Sequence, residues 1–232
     1  MRLLLLSNST NHGAAYLEHA LPEIRGFLGG ARRLGFVPFA LQDQPGYFGK
    51  AAAVLGRAGF DVARVTADAA GARLVGGLDA VFVGGGNSFR LLRLLRESAL
   101  LEALRARVGA GMPYLGASAG TNVASPTIRT TNDMPIVEPG GFDAMGFVPF
   151  QINPHYLDAD PGSTHMGETR EDRLREYLEE NAAPVLGLRE GAWLRREGAS
   201  LRLGGGAGAR LFRRERQPEE LAPGADLSFL LG

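Results

Sequence analysis

The chain has 232 residues, 45% hydrophobic and 22% charged, a globular composition with enough length to bury a substantial core. Its 25 basic and 25 acidic side chains cancel, which argues against a nucleic-acid ligand and against an acidic solvating tail. With no cysteine, disulfides, thiolate metal sites and a cysteine nucleophile are excluded.

Met1-Arg2-Leu3-Leu4-Leu5-Leu6-Ser7-Asn8 turns polar too early for the apolar region of a signal peptide. No apolar stretch reaches membrane-spanning length, so a cytoplasmic protein without membrane contact is expected. Leu3 to Leu6 reads as a strand buried on both faces. Leu17, Leu21, Ile24 and Leu28 then make a helical stripe over 14–28. A strand over 35–40 follows, although Pro38 would be unwelcome within a ladder. Next come a helix over 47–58, a strand over 60–65 and a buried strand, Ala80-Val-Phe-Val83.

Leu- and Arg-rich helical material over 88–107 is expected to break near Ser98. Pro113-Tyr-Leu-Gly116 is a short strand running into Ser118. The alternation of strand and helix predicts an α/β fold with a mostly parallel, doubly wound sheet. Residues 121–163 turn irregular, rich in Pro, Gly, Asn and Asp, and so long an irregular segment usually has a function. A strand-like stretch over 146–152, a helix over 171–180, a strand over 184–188 and a hairpin turning at Glu197-Gly198 complete the reading. Without a linker or an internal repeat, one domain over 1–232 is expected.

Gly116-Ala-Ser118-Ala-Gly120 fits the G-x-S-x-G nucleophile elbow, with a strand before it and a helix after it. Small neighbours let a strained turn lift the hydroxyl above the sheet, although a tight βα turn with an inert serine would carry the same letters. Val83-Gly84-Gly85-Gly86-Asn87 is a second glycine-rich turn after a buried strand. Its Gly85 and Gly86 amides, with that of Ala119, are the candidate oxyanion donors, and Asn87 is a candidate substrate contact. No Gly-Lys-Ser/Thr follows, so a nucleotide is disfavoured, and neither a cofactor nor a metal is expected.

A general base must come from four histidines, His12, His19, His155 and His165. His155 in Gln151-Ile-Asn-Pro-His155 follows the strand-like stretch and is favoured, because α/β active sites sit at carboxyl ends of strands; His165 is the reserve. For the orienting acid the candidates are Asp133 in Arg129-Thr-Thr-Asn-Asp133-Met-Pro and Glu190 in Gly187-Leu-Arg-Glu190-Gly. Either could equally be a surface carboxylate.

Across nearly its whole length the chain resembles peptidase E, the aspartyl dipeptidases. The resemblance is carried by Leu3-Leu-Leu-Leu-Ser-Asn-Ser-Thr10, Gly84-Gly-Gly-Asn87, Ser118-Ala-Gly120, Gln151-Ile-Asn-Pro-His155 and Gly167-Glu-Thr-Arg170. Its most specific segment is Pro126-Thr-Ile-Arg-Thr-Thr-Asn-Asp-Met-Pro-Ile-Val137. The resemblance implies a flavodoxin-like fold of the class I glutamine amidotransferase type and a serine peptidase that removes N-terminal aspartate from dipeptides. Ser118 would be nucleophile, His155 base, and Asp133 or Glu190 the third member. Arg170 would pair with the substrate's side-chain carboxylate; without the resemblance, a surface partner among Glu168, Glu171 or Asp172 would explain it as well. The chain departs from the family at Ala117, where a bulkier residue is usual beside the nucleophile, which bears on the pocket wall.

A small peptide is the expected partner, and a homodimer the assembly considered. Three other readings stay in view: a serine exopeptidase or isopeptidase on other acidic peptides, an α/β-hydrolase esterase, and an inactive small-molecule binding module. The esterase fits least, because its histidine normally comes late in the chain and none follows His165.

Overall fold

Short apolar runs can cross a sheet once but cannot make a helix stripe, and this chain stacks them side by side. The computed structural model describes residues 1–160, 162, 164 and 166–232. Strands β1 (Arg2–Leu6), β2 (Arg33–Val37), β3 (Asp61–Arg64), β4 (Ala80–Val83) and β5 (Tyr114–Ala117) pair in parallel. A hairpin of β8 (Ala192–Glu197) and β9 (Ser200–Gly205) extends the β1 edge antiparallel, giving the order β3-β2-β4-β5-β1-β8-β9.

Strand alternation sends successive leucines of β1 to opposite faces. Leu3 and Leu5 join a core with Leu91, Leu95, Leu104 and Val108, from helices α4 (Ser88–Glu97) and α5 (Leu100–Gly109). Leu4 and Leu6 join Ile24, Phe27, Ala51 and Leu55, from α1 (Leu21–Leu28) and α2 (Gln44–Arg57). The doubly wound expectation therefore holds for the parallel part of the sheet.

A second sheet was not anticipated. It has the order β11-β10-β7-β6, from β6 (Gln151–Tyr156), β7 (Val185–Arg189), β10 (Ala209–Phe212) and β11 (Glu219–Leu221). Its last two strands are short and flanked by Gly-rich and Arg-rich sequence, which leaves no alternation to read. Helix α7 (Arg170–Glu180) covers it through Leu174 and Leu178, which pack with Tyr156, Val185 and Phe212.

Other differences have local causes. The stripe over 14–28 is helical only from Leu21, because Leu17 takes a left-handed turn (φ 61°) and a short 3-10 turn, Glu18–Ala20, intervenes. β2 stops at Val37, directly before Pro38. Helix α3 (Ala69–Val75) was missed because seven residues containing a glycine give too short a stripe; the Asp68 side chain caps it by accepting the Gly71 N–H. The expected break near Ser98 occurs at Ala99, which has φ 59°. The stretch over 146–152 becomes a strand only at Gln151, so His155 lies within β6 and not after it. Among the described residues, no helix is long and apolar enough to cross a membrane.

Candidate active site

The carboxyl ends of adjacent parallel strands β4 and β5 face one cleft, and both glycine-rich turns sit there. Ser118 occupies φ 52°, ψ −111°, a strained conformation for a non-glycine residue, between β5 and the short helix α6 (Ala119–Asn122). Its N–H donates to the Leu6 carbonyl at 3.1 Å, and the Thr121 hydroxyl donates to the same oxygen at 2.6 Å. These bonds fasten the turn to β1. The small residues are steric requirements. A Cβ on Gly120 would stand 2.0 Å from the Val83 carbonyl oxygen, and one on Gly116 would stand 2.5 Å from that of Gly120. Gly120→Ala should therefore cost about 1–3 kcal/mol through overpacking, read as a lower urea midpoint; an unchanged midpoint would refute the steric account. Ala117 faces the core with Leu6 and Leu115, so it does not form the pocket wall that its place beside the serine suggested.

His155 is the odd residue of a β-bulge. Pro154 pairs with Leu188 and Tyr156 with Arg189, leaving residue 155 unpaired at φ 54°. Its freed N–H donates to the Ser7 hydroxyl at 2.9 Å, and that hydroxyl donates to the Leu188 carbonyl at 2.7 Å. The bulge aims the ring at the elbow. Nε2 lies 2.9 Å from Ser118 Oγ, and Nδ1 lies 2.6 Å from Glu190 Oε1. A carboxylate only accepts, so the ring proton is assigned to Nδ1 and the serine hydroxyl donates to Nε2. Glu190 stands in the turn after β7, where the Asn8 side chain accepts the Gly191 N–H at 2.8 Å. Ser7 and Asn8, directly after β1, thus position the histidine and the acid, respectively.

Asp133 is not bonded to His155. Its carboxylate accepts the Ser88 N–H at 2.7 Å and the Thr131 hydroxyl at 3.0 Å, at the N-terminus of α4 where a negative charge is favoured. Its neighbours lace the irregular segment to β6. Asn132 donates to the Pro154 carbonyl, while Asn153 donates to the Thr130 carbonyl and to the Asn132 side chain.

Asn87 also departs from its expected place as a substrate contact. Its side-chain oxygen caps α4 through the Arg90 N–H, and its amide donates to the Met134 carbonyl. Gly85 is withdrawn from the oxyanion set, because its N–H donates to the Tyr47 hydroxyl at 2.8 Å. Gly86 and Ala119 remain on the cavity wall beside Ser118.

That cavity encloses about 810 Å³ and includes Ser118, His155, Asp133 and Arg170 on its walls. Arg170 opens α7, and the three acids that might have paired with it are engaged elsewhere. Glu168 pairs with Arg173, Glu171 with Arg175 and Arg210, and Asp172 closes a capping box with Thr169. Among the described residues Arg170 makes no ion pair. Burial, and then the charge of Arg173, lower it from the ordinary guanidinium value, while Asp133 raises it.

Of the other histidines, His165 lies outside the described residues. Burial lowers His19 from the ordinary imidazole value, while the charge of Glu190 raises it. Sequence reading missed Ser7, Asn8, Tyr16, Tyr47 and Lys50. A sequence signal existed for part of this group, since Asp43, Tyr47 and Lys50 recur at helical spacing toward one face.

The family model for peptidase family S51 matches residues 3–204. A protein named peptidase E from Streptomyces coelicolor is 62% identical over 231 residues, covering 100% of this chain and 95% of its own. A probable alpha-aspartyl dipeptidase of Drosophila melanogaster is 47% identical, covering 99% of this chain and 97% of its own. Among solved structures, a peptidase from an acI-B1 actinobacterium superposes with a TM-score of 0.73 at 16% identity, covering 98% of this chain and 96% of that one. The family model spans every strand that carries a residue of the cleft, and the similarity to the Streptomyces protein spans both sheets. The chain belongs to peptidase family S51.

Proposed function

We propose that the protein cleaves dipeptides after an N-terminal aspartate, through a serine acyl-enzyme. Ser118 Oγ attacks the aspartyl carbonyl carbon as its proton passes to His155 Nε2. Glu190 holds the ring in the productive tautomer and stabilises the imidazolium. The amides of Ala119 and Gly86, two residues of the cavity wall beside Ser118, would stabilise the developing oxyanion. The tetrahedral intermediate then collapses, breaking the C–N bond, and His155 returns the proton to the leaving amine. Water, activated by the same histidine, hydrolyses the ester and regenerates Ser118.

The observation that carries the substrate class is Arg170, a half-buried cation in the cavity of the Ser118–His155–Glu190 array that makes no ion pair among the described residues. A guanidinium binds a carboxylate bidentately, and the name of the Drosophila relative, a probable alpha-aspartyl dipeptidase, points to aspartyl peptides. A panel of Asp-Leu, Glu-Leu, Asn-Leu and internally acidic peptides tests the reading, with Asp-Leu the expected preferred substrate. Arg170→Met keeps stem volume and removes the charge. It should lower kcat/KM on Asp-Leu by about thirtyfold to several thousandfold, a loss of about 2–5 kcal/mol, and lower Asn-Leu turnover much less. Retention of the Asp-over-Asn preference in this variant would assign the carboxylate to another group.

A further inference from the structure

An aspartyl dipeptide brings two carboxylates into the cleft, and Arg170 accounts for one. Among the described residues the same cavity holds one other cation, Lys50, the only lysine of the chain. Asp43, Gly46, Tyr47 and Lys50 fall at spacings of three, four and seven around the start of α2, so one helix face lines the cavity.

The Lys50 ammonium sits 4.8 Å above the Tyr16 ring, and Tyr16 meets Tyr47 edge to face at 6.3 Å between centroids. Tyr47 in turn holds the Gly85 N–H, and a Cβ at residue 85 would lie only 3.0 Å from that of Ser118. A continuous wall therefore leads from the nucleophile to the ammonium. Tyr16 and Tyr47 are buried, and that burial pushes both hydroxyls up from the ordinary phenol value, so the wall stays neutral.

Neither carboxylate of the cavity is spent on Lys50. Asp43 accepts the Gly46 N–H as the cap of α2, and Asp133 accepts the Ser88 N–H. Among the described residues the ammonium makes no ion pair, whereas Glu171 and Glu190 are already engaged by other partners. Lys50 and Arg170 also enter from different layers, α2 on the main sheet and α7 on the second sheet.

We propose that Lys50 binds the terminal α-carboxylate of the leaving residue, so that the cavity recognises the free C-terminus of a dipeptide as well as its aspartyl side chain. This rests on the dipeptidase reading above. The ring beneath Lys50 fixes the ammonium by a cation–π contact, leaving its remaining donors for an anion. A peptide amide or a longer peptide presents no charge at that position. Lys50 is thus a specificity residue, and its contact forms equally in the ground and transition states, which places its effect mainly on KM.

The test compares Asp-Leu, Asp-Leu amide and Asn-Leu in the wild type, Lys50→Met and Lys50→Arg, with thermal midpoints as the folding control. In Lys50→Met the ratio of kcat/KM for Asp-Leu over Asp-Leu amide should fall about tenfold to hundredfold, chiefly through KM, and Lys50→Arg should restore most of it. The Asp-over-Asn ratio should stay near its wild-type value. An unchanged acid-over-amide ratio in Lys50→Met overturns the proposal. A collapsed Asp-over-Asn ratio overturns it too, by placing Lys50 on the aspartyl side chain. A wild type that cleaves none of the three substrates defeats the dipeptidase reading itself, and this inference with it.

Discussion

Ser118→Ala should lower kcat by about three to six orders of magnitude while leaving the thermal midpoint close to that of the wild type. The size follows from the site's composition. The chain has no cysteine, and among the described residues Ser118 is the one hydroxyl bonded to the His155 ring. Alanine keeps the small volume required between Gly116 and Gly120, so the fold should survive. The residue activity should reflect binding and the oxyanion donors alone. Single-turnover assays on Asp-Leu with the purified variant measure this directly. Turnover within tenfold of the wild type would mean that some other group attacks the carbonyl.

The second large effect concerns the acid. Glu190→Gln should reduce kcat/KM by about a hundredfold to ten-thousandfold, because a side-chain amide can donate to Nδ1 and favour the wrong tautomer. Glu190 is half exposed, and its charge is therefore screened, so orientation and tautomer choice account for most of this loss. Asp133→Asn should behave differently. It weakens the bond to the Ser88 N–H at the start of α4, and its activity loss should be smaller and accompanied by a drop in stability. Activity and denaturation measured on the same preparations separate the two roles. A greater activity loss in Asp133→Asn, with stability intact, would reverse this ranking.

These two acids also mark how far the site could be read in the sequence. The elbow is legible because its geometry demands small residues at fixed offsets, and Gly116, Ala119 and Gly120 supply them around Ser118. His155 is legible because only four histidines compete and one of them follows an apolar stretch. The choice between Asp133 and Glu190 is not legible, since it depends on β6 pairing with β7, which brings the turn at Glu190, and not the irregular segment at Asp133, to Nδ1. The specific-looking run around Asp133 serves chiefly to tie residues 130–133 to β6 and to α4. Gly85 and Asn87 were misplaced for a related reason. A glycine-rich turn advertises available amides, but Tyr47, 38 residues away, takes the one at Gly85. In the fold, the parallel strands were readable from apolar runs, whereas β10 and β11 are stabilised by partners and not by pattern.

The bulge at His155 has a consequence for how the protein tolerates length changes. Beyond the extra residue that swings the imidazole toward Ser118, β6 resumes its pairing at Tyr156, which points into the small core with Leu174 and Leu178. Those two leucines anchor α7, whose first residue is Arg170. Because that residue is surplus to the ladder, its loss would leave Tyr156 opposite Arg189 and the helix docked on the same two leucines. A single-codon deletion of His155 would therefore close the bulge and remove the imidazole from Ser118 while the strand and α7 keep their places. The chemistry would fail inside an intact fold.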